Sequence, residues 1–392
     1  MPNESRDERA HARVGSVLNQ KWTLERLIGI GGMAAVYAGL HRNGARAAVK
    51  VLHADIARIP QVRERFLREG YAANRVDHPG AVKVLDDDVI ASGPDEGAAY
   101  IVMELLRGGS LEDRLQRGPP IGEQELLGLA RAMLGVLEAA HAHGVVHRDL
   151  KPENLFIPDP EPGEDPKAPR VKILDFGLAR VADARLRTMH GLAVGTPSYM
   201  PPEQAAGRVD EIDGRADLFA LGATCFRILA GRTVHPGRSP IEIALRMAKE
   251  PAPKLRTVAP GVSEATAEVI DRALEFRRED RWPDAAAMRA AVDVASAKRA
   301  RTAAPRRPAA VPPPAPIVAR AATSPARTLL RQLTPRRSRL PLVTVAFLVL
   351  VGAKVAQEDF AGHEQAALDA GAATDGVGDA AAAGLTDGGP SR

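Results

Sequence analysis

The amino-acid sequence predicts an α+β protein of two lobes, an antiparallel sheet with one helix followed by a mainly helical lobe. Three observations predict it. Segments with the apolar alternation of strands crowd into residues 21–104. Segments with the period of helices dominate residues 105–297. Beyond residue 297 the composition shifts to Ala, Pro and Arg, which supplies no core. The chain of 392 residues suffices for one large bilobal unit with tails. Its single cysteine, Cys225, excludes an intramolecular disulfide framework and any multi-cysteine metal site. The cytosol is the natural compartment for the folded part, and residues 1–21 are too polar for a secretory signal peptide.

The net charge of +4 hides an uneven distribution. Residues 298–339 carry eleven Lys and Arg and no acid, and residues 340–392 carry two bases and seven acids. That leaves 40 bases and 42 acids in residues 1–297, a charge of −2. The basicity belongs to one tail segment, so a globally cationic nucleic-acid-binding surface is not implied and no nucleic-acid partner is expected.

Residues 1–20 read as a disordered, charged lead-in. Trp22–Ile28 alternates like a strand and runs into Gly29-Ile30-Gly31-Gly32-Met33-Ala34-Ala35-Val36. Glycines there let backbone N–H groups close over phosphate oxygens without an intervening side chain. Alone such a run is weak evidence, because most glycine-rich turns are only turns. A dinucleotide fingerprint is disfavoured, since a strand and not a helix follows. In the next strand, Ala48 and Lys50 lie within Ala47–Leu52. A lysine inside an apolar strand is costly to bury unpaired, so it needs an anionic partner. Residues 62–76 read as a helix carrying Glu69, which His78-Pro79 ends. Strands over 82–89 and 98–104 follow, the second containing Met103 and Glu104 and leading through Leu106 to Gly108-Gly109.

In the second lobe, Ser110 to Asp113 resembles a capping box. A long helix over 123–143 places Leu126, Leu127, Ala130, Met133, Leu134, Leu137 and Ala140 at helical spacing. His141 and His143 read as surface or end-of-helix residues, and Gly144 as the residue that closes the helix. His147-Arg148-Asp149-Leu150-Lys151-Pro152-Glu153-Asn154 comes next. Asp149 is fit to accept a proton from a hydroxyl, Lys151 to meet a phosphate, and Asn154 to hold a divalent cation. Pro158–Pro169 reads as a solvated hairpin insertion. A buried strand over Val171–Leu174 ends at Asp175-Phe176-Gly177, 26 residues after Asp149. Residues 178–199 hold Thr188 and Thr196 with little hydrophobic order and end near Pro202-Glu203. Arg215 opens an apolar helix to Ala230 in which Cys225 reads as an inert core thiol. Three helices complete the lobe, near 240–249, 263–275 and 283–297, with Arg281 just before the last.

Taken together and in this order, these motifs resemble the bacterial branch of the eukaryotic-type (Hanks-type) Ser/Thr protein kinases over residues 20–297, roughly 70% of the chain. Residues 147–154 match H-R-D-x-x-x-x-N, and residues 29–36 match the glycine-rich loop with Ala34 at its third glycine. Pro202 replaces the alanine of A-P-E. The resemblance implies the bilobal protein-kinase fold, with ATP and Mg2+ (or Mn2+) as cofactors and Ser/Thr-bearing proteins as substrates. It implies Asp149, Lys151, Lys50 and Glu69 as the catalytic set, with Glu69 holding Lys50 toward the α/β-phosphates. The ATP-binding set is Gly29, Ile30, Gly31, Gly32, Met33, Ala34, Val36, Ala48, Lys50, Met103, Glu104 and Leu106. Adenine would bond to backbone around Glu104–Leu106, with Met103 at the back of the pocket. Asn154 and Asp175 would hold the metal. Arg148 would receive an activation-loop phosphate, with Thr188 the expected autophosphorylation site and Thr196 needed for the acceptor pocket. Glu203 and Arg281 would form a structural pair. Two other classes compete. A pseudokinase scaffold would normally lack an equivalent of Lys50, Asp149 or Asp175, and none is lost here. An anion- or DNA-binding protein rests on the basic tail alone.

Residues 298–339 read as an extended cationic linker, either a solvated spacer or a contact to anionic lipid. Residues 340–356 make 17 largely apolar residues, against the about 20 that a spanning helix needs. Arg336, Arg337 and Arg339 before them and acids after them fit an N-in orientation. The expectation is a single-pass anchor in the cell membrane with the kinase domain cytoplasmic; the alternative is a helix docking on the kinase or a partner. Residues 357–392 form an acidic Ala/Gly-rich tail, and a homodimer is among the partners considered.

Overall fold

The computed structural model describes residues 5–160, 163, 170–176 and 197–303. Thr188, Thr196, most of the 158–169 insertion, the linker beyond residue 303, the expected anchor at 340–356 and the acidic tail lie outside the described residues.

The first lobe opens with helix α1 (Arg6–Ala12) and strand β1 (Val17–Leu18). Over residues 5–20 this differs from the disordered lead-in expected for residues 1–20, of which residues 1–4 lie outside the described residues. The Ser5 hydroxyl accepts from the Glu8 N–H while the Glu8 side chain accepts from the Ser5 N–H, a complete capping box. Ala10 is fully buried, and the Tyr37 hydroxyl donates to its carbonyl at 2.9 Å. Arg13, 5% exposed, pairs with Asp95 at 2.5 Å. The anchors are single residues that meet distant partners, so the charged composition of the segment hides them.

Strands β2 (Trp22–Ile30), β3 (Ala34–His41) and β4 (Arg46–Leu52) follow as a meander. Then come a one-turn helix α2 (Ala54–Ala57), helix α3 (Pro60–Asn74) and strands β5 (Val84–Val89) and β6 (Ala99–Met103). With α1 and α2 the lobe holds more helix than the single one expected. Among the described residues the strands form one antiparallel sheet in the order β1-β2-β3-β4-β6-β5. Its register sorts the side chains. Val36 lies opposite Lys50 and Ala48 opposite Met103; directly opposed residues share a face, so these four line one side. Tyr37, Val49 and Val51 point to the other, where all three are fully buried in a core with Val62 and Phe66 of α3. Glu69 falls within α3, and its side chain lies outside the described residues.

The second lobe begins with β7 (Gly108–Ser110), which joins β8 (Leu155–Pro158) and β9 (Lys172–Ile173) in a small sheet. Between them lie α4 (Leu111–Arg117), capped by Ser110 and Asp113 as its sequence predicts, and the long α5 (Glu123–Ala142). Gly144 takes φ +68° just past α5, the left-handed conformation that turns the chain into the 147–154 segment. After residue 197 come α6 (Pro202–Ala205), α7 (Arg215–Ala230), α8 (Pro240–Lys249), α9 (Leu255–Val258), α10 (Glu264–Ala273) and α11 (Ala285–Ala303). A Cβ at Gly222 would come within 2.8 Å of the Ala273 Cβ, so this glycine permits the close crossing of α7 and α10. Helix α11 runs past residue 297, so residues 298–303 of the expected linker are helical. It is held along α5 by Arg131–Asp293 at 2.7 Å, Gln124–Ser296 at 2.7 Å and Arg299–Glu123 at 3.3 Å. Among the described residues no helix is long and apolar enough to cross a membrane.

Candidate active site

Residues 147–154 follow Gly144, and their shape is imposed from α7. The Asp217 carboxylate accepts from the backbone N–H of His147 at 2.9 Å and of Arg148 at 2.8 Å. It also meets His141 Nε2 at 2.8 Å. Burial pushes the Asp217 carboxyl up, but His141 and the His147 backbone outweigh it and hold it below the usual carboxylate range. Two amides gathered on one carboxylate explain how Arg148 is kept at φ +67°, a conformation that disfavours a side chain. His141 is therefore a positioning residue; of its two expected readings, surface or end of helix, the structure bears out the second, since it sits in the last turn of α5 with its ring mostly covered. Asp217 was visible in the sequence as a carboxylate inside an apolar helix, a placement that demands partners.

The His147 ring is fully buried and donates from Nε2 to the Leu174 carbonyl at 2.7 Å. It meets Phe176 edge-on, with centroids 5.2 Å apart. The Leu174 N–H in turn donates to the Asn154 carbonyl at 2.9 Å. Those contacts bring the 147–154 segment and Asp175 together. Lys151 Nζ lies 2.9 Å from Asp149 Oδ2. Asn154 Nδ2 donates to the Asp149 carbonyl at 2.7 Å and to its Oδ2 at 3.2 Å. Asp175, at φ +59°, pairs through Oδ1 with Lys50 Nζ at 2.6 Å. The structure thus gives Lys50 a carboxylate partner in Asp175; the expected pairing with Glu69 lies outside the described residues.

Among the described residues no group of three or more His, Cys, Asp or Glu is arranged for a metal. Asn154 and Asp175 nevertheless fit a hard divalent cation whose remaining ligands come from phosphate and water. With Asn154 Nδ2 committed to Asp149, the oxygen of that amide is the atom left to bind, and Asp175 adds a carboxylate.

On the face expected to take the nucleotide, Val36, Ala48, Lys50 and Met103 lie together, and the turn between β2 and β3 is closed by a bond from the Gly31 N–H to the Ala34 carbonyl at 2.8 Å. Gly29 and Ile30 end β2, Gly32 and Met33 form the turn, and Leu106 lies on the crossing between the lobes. The Glu104 side chain stabilises that crossing. It accepts from the Lys83 N–H at 2.9 Å and from Lys172 Nζ at 2.5 Å. Nothing local in the sequence singles out Lys172, because its partner is 68 residues away.

On the opposite side, a recess is lined by Arg148, Asp149, Tyr199, Met200, Pro201 and Gln204. Gln204 Nε2 donates to the Arg148 carbonyl at 2.9 Å. Arg227 ties Tyr199 and Glu112 together at 2.6 and 2.5 Å, and burial pushes the Tyr199 hydroxyl up to about 12. Next in the chain to Gln204, Glu203 faces Arg281 with two bonds of 2.8 Å, both side chains almost fully buried.

Comparison with known proteins bears on the family and the fold. Residues 22–291 match the protein kinase domain family. The chain is 40% identical over 303 residues to the serine/threonine-protein kinase Pkn1 of Myxococcus xanthus, covering 77% of this chain and 41% of that protein. It is 35% identical over 281 residues to PknB of Mycobacterium leprae, covering 70% of this chain and 42% of that protein. The chain spans about half the length of the curated relatives it matches. Among solved structures it is similar to the kinase domain of Mycobacterium tuberculosis PknI. The TM-score is 0.56 at 26% identity, over 72% of this chain and 98% of that one.

Proposed function

Because this chain belongs to the protein kinase family, in its bacterial eukaryotic-type serine/threonine branch, we propose that it transfers the γ-phosphoryl group of ATP to serine and threonine hydroxyls of proteins in bacterial signalling. The observation that carries this reading is the convergence of Lys151 and Asn154 on Asp149, beside the Lys50–Asp175 pair. In the proposed reaction Asp149 orients the acceptor hydroxyl and takes its proton as the new O–P bond forms and ADP leaves. Lys151 neutralises the phosphoryl group in transit, and Lys50 meets the α/β-phosphates. Asn154 and Asp175 would hold Mg2+ or Mn2+. A bound divalent ion supplies charge neutralisation at the phosphates. Most of the acceleration comes from positioning and electrostatics, which is what a held loop and fixed side chains provide. Lys151, two residues after Asp149, favours Ser and Thr over Tyr acceptors. The test is incubation with ATP, Mg2+ and a generic basic protein, followed by phosphosite mapping. Phosphoserine and phosphothreonine are expected; no transfer to any substrate, the chain itself included, would identify a pseudokinase.

The site carries its own regulation in this proposal. Thr188 is autophosphorylated and its phosphate pairs with Arg148, while Thr196 serves the acceptor pocket. A phosphate set against an arginine forms up to three charge-assisted bonds, so Thr188→Ala should lower substrate phosphorylation about tenfold. Full activity in that variant would dispose of the idea.

We further propose that residues 340–356 anchor the chain as a single pass in the cell membrane, with the kinase domain cytoplasmic and residues 304–339 lying against anionic lipid. The arginines at 336, 337 and 339 support that orientation. Membrane fractionation should leave the full-length protein in the pellet until detergent is added. Recovery in the soluble fraction would favour a docking helix or a second copy of the chain as its partner.

A further inference from the structure

Three consecutive carbonyls of the β2–β3 turn are each held from outside the turn. His53, 3% exposed, donates from Nε2 to the Gly31 carbonyl at 2.9 Å. Its backbone N–H donates to the Met33 carbonyl at 2.9 Å. Between them, Arg6 of α1 donates from Nη1 to the Gly32 carbonyl at 3.0 Å. The same guanidinium meets Asp55 of α2 through Nη2 at 2.5 Å and Nε at 3.1 Å. One side chain therefore bridges α2 and the tip of the turn.

The helix that carries Arg6 is itself anchored, by its capping box, by Ala10 under the Tyr37 hydroxyl and by the Arg13–Asp95 pair. The Ala10 and Arg13 anchors lie on the Tyr37 side of the sheet, opposite the face of Val36 and Lys50. In a trans peptide the C=O of one residue and the N–H of the next point in opposite directions, and the chain has no cis bonds among the described residues. Holding the carbonyls of Gly31, Gly32 and Met33 therefore fixes the N–H directions of Gly32, Met33 and Ala34.

We propose that α1 and His53 form a clamp that presets the phosphate loop, with Arg6 and His53 as positioning residues for the triphosphate of the nucleotide. This rests on the phosphotransfer reading above. A loop fixed in advance loses less freedom on binding, so affinity for the phosphates rises without any new contact to them. Alanine at position 34, where the family pattern has a third glycine, suits a loop that is held and does not need to flex. The clamp acts on the phosphates and leaves the adenine contacts alone.

The test compares full-length wild-type protein, Arg6→Ala and Asp55→Asn in calorimetric titrations with Mg2+ present, using adenosine and a non-hydrolysable ATP analogue as probes. Arg6→Ala is expected to bind the analogue about threefold to tenfold more weakly, the range given by one net hydrogen bond, with adenosine affinity unchanged. Asp55→Asn leaves Arg6 in place without its charged partner and should shift in the same direction by less. The KM for ATP should rise in parallel in the phosphorylation assay. Unchanged analogue binding in Arg6→Ala overturns the clamp, and so does an equal loss for adenosine and the analogue, which would mark a general loosening of the lobe. A wild-type protein that fails to bind the analogue at all overturns the phosphotransfer reading, a result distinct from either.

Discussion

Asp149→Asn is expected to lower the turnover of protein phosphorylation about 10²–10⁴-fold, the share that general base catalysis contributes. The substitution is nearly isosteric, and the two groups that aim Asp149 remain. Lys151 and Asn154 both reach its Oδ2, at 2.9 and 3.2 Å, and an amide oxygen in that place still accepts from them. The backbone bond from Asn154 Nδ2 to the Asp149 carbonyl does not involve the replaced group. What disappears is the proton acceptor and its charge. The KM for ATP should stay within about twofold, because the residues proposed to contact the nucleotide lie on other elements. Steady-state kinetics on the purified variant check both numbers. Turnover above about a tenth of the unaltered value would remove Asp149 from the role of base.

Glu203→Ala is expected to destabilise the second lobe by about 3–5 kcal/mol, the usual consequence of leaving one member of a buried ion pair alone. Arg281 has no exposed surface in its side chain. Its guanidinium is committed on every edge, to both Glu203 oxygens at 2.8 Å, to the Glu275 carbonyl at 2.8 Å and to the Phe276 carbonyl at 3.1 Å, and it stacks over the Phe219 ring at 4.8 Å. Removing the carboxylate strands a charge that cannot reach water. The double variant Glu203→Leu/Arg281→Met should recover part of the loss and not all of it, since two carbonyls then lack their donor. Denaturant unfolding of the three proteins tests this. A loss below about 1 kcal/mol in Glu203→Ala would show that the pair is not a support of the fold. The same pair fastens the end of the segment that reaches the recess beside Asp149, so activity should fall along with stability.

Local chemistry made much of this chain legible. The capping box at Ser110, the helix over 123–142, Gly144 at its end and the apolar run from Arg215 to Ala230 follow from rules that act within one or two turns. The order of glycine turn, strand lysine, 147–154 motif and Asp175-Phe176 was readable for the same reason. Each motif is contiguous, and its residue types state its chemistry. The order at residues 5–20 is not legible because composition averages over anchors that are individually decisive: Ala10, Arg13 and Arg6 each act on a residue of another element.

Taken alone, the sequence determined the bilobal α+β fold class and the order of its motifs, and it singled out the residues expected to carry phosphate chemistry, because those properties reside in short patterns. Only the tertiary structure decided who holds them. Asp217 lies 68 residues beyond Asp149, yet it shapes the loop that presents it. Lys172 steadies the lobe crossing through Glu104, and Arg6 reaches the phosphate turn from the far side of the sheet. Such partners are brought together by packing, and a carboxylate or guanidinium carries no mark in the sequence of the distant group that its burial will oblige it to meet.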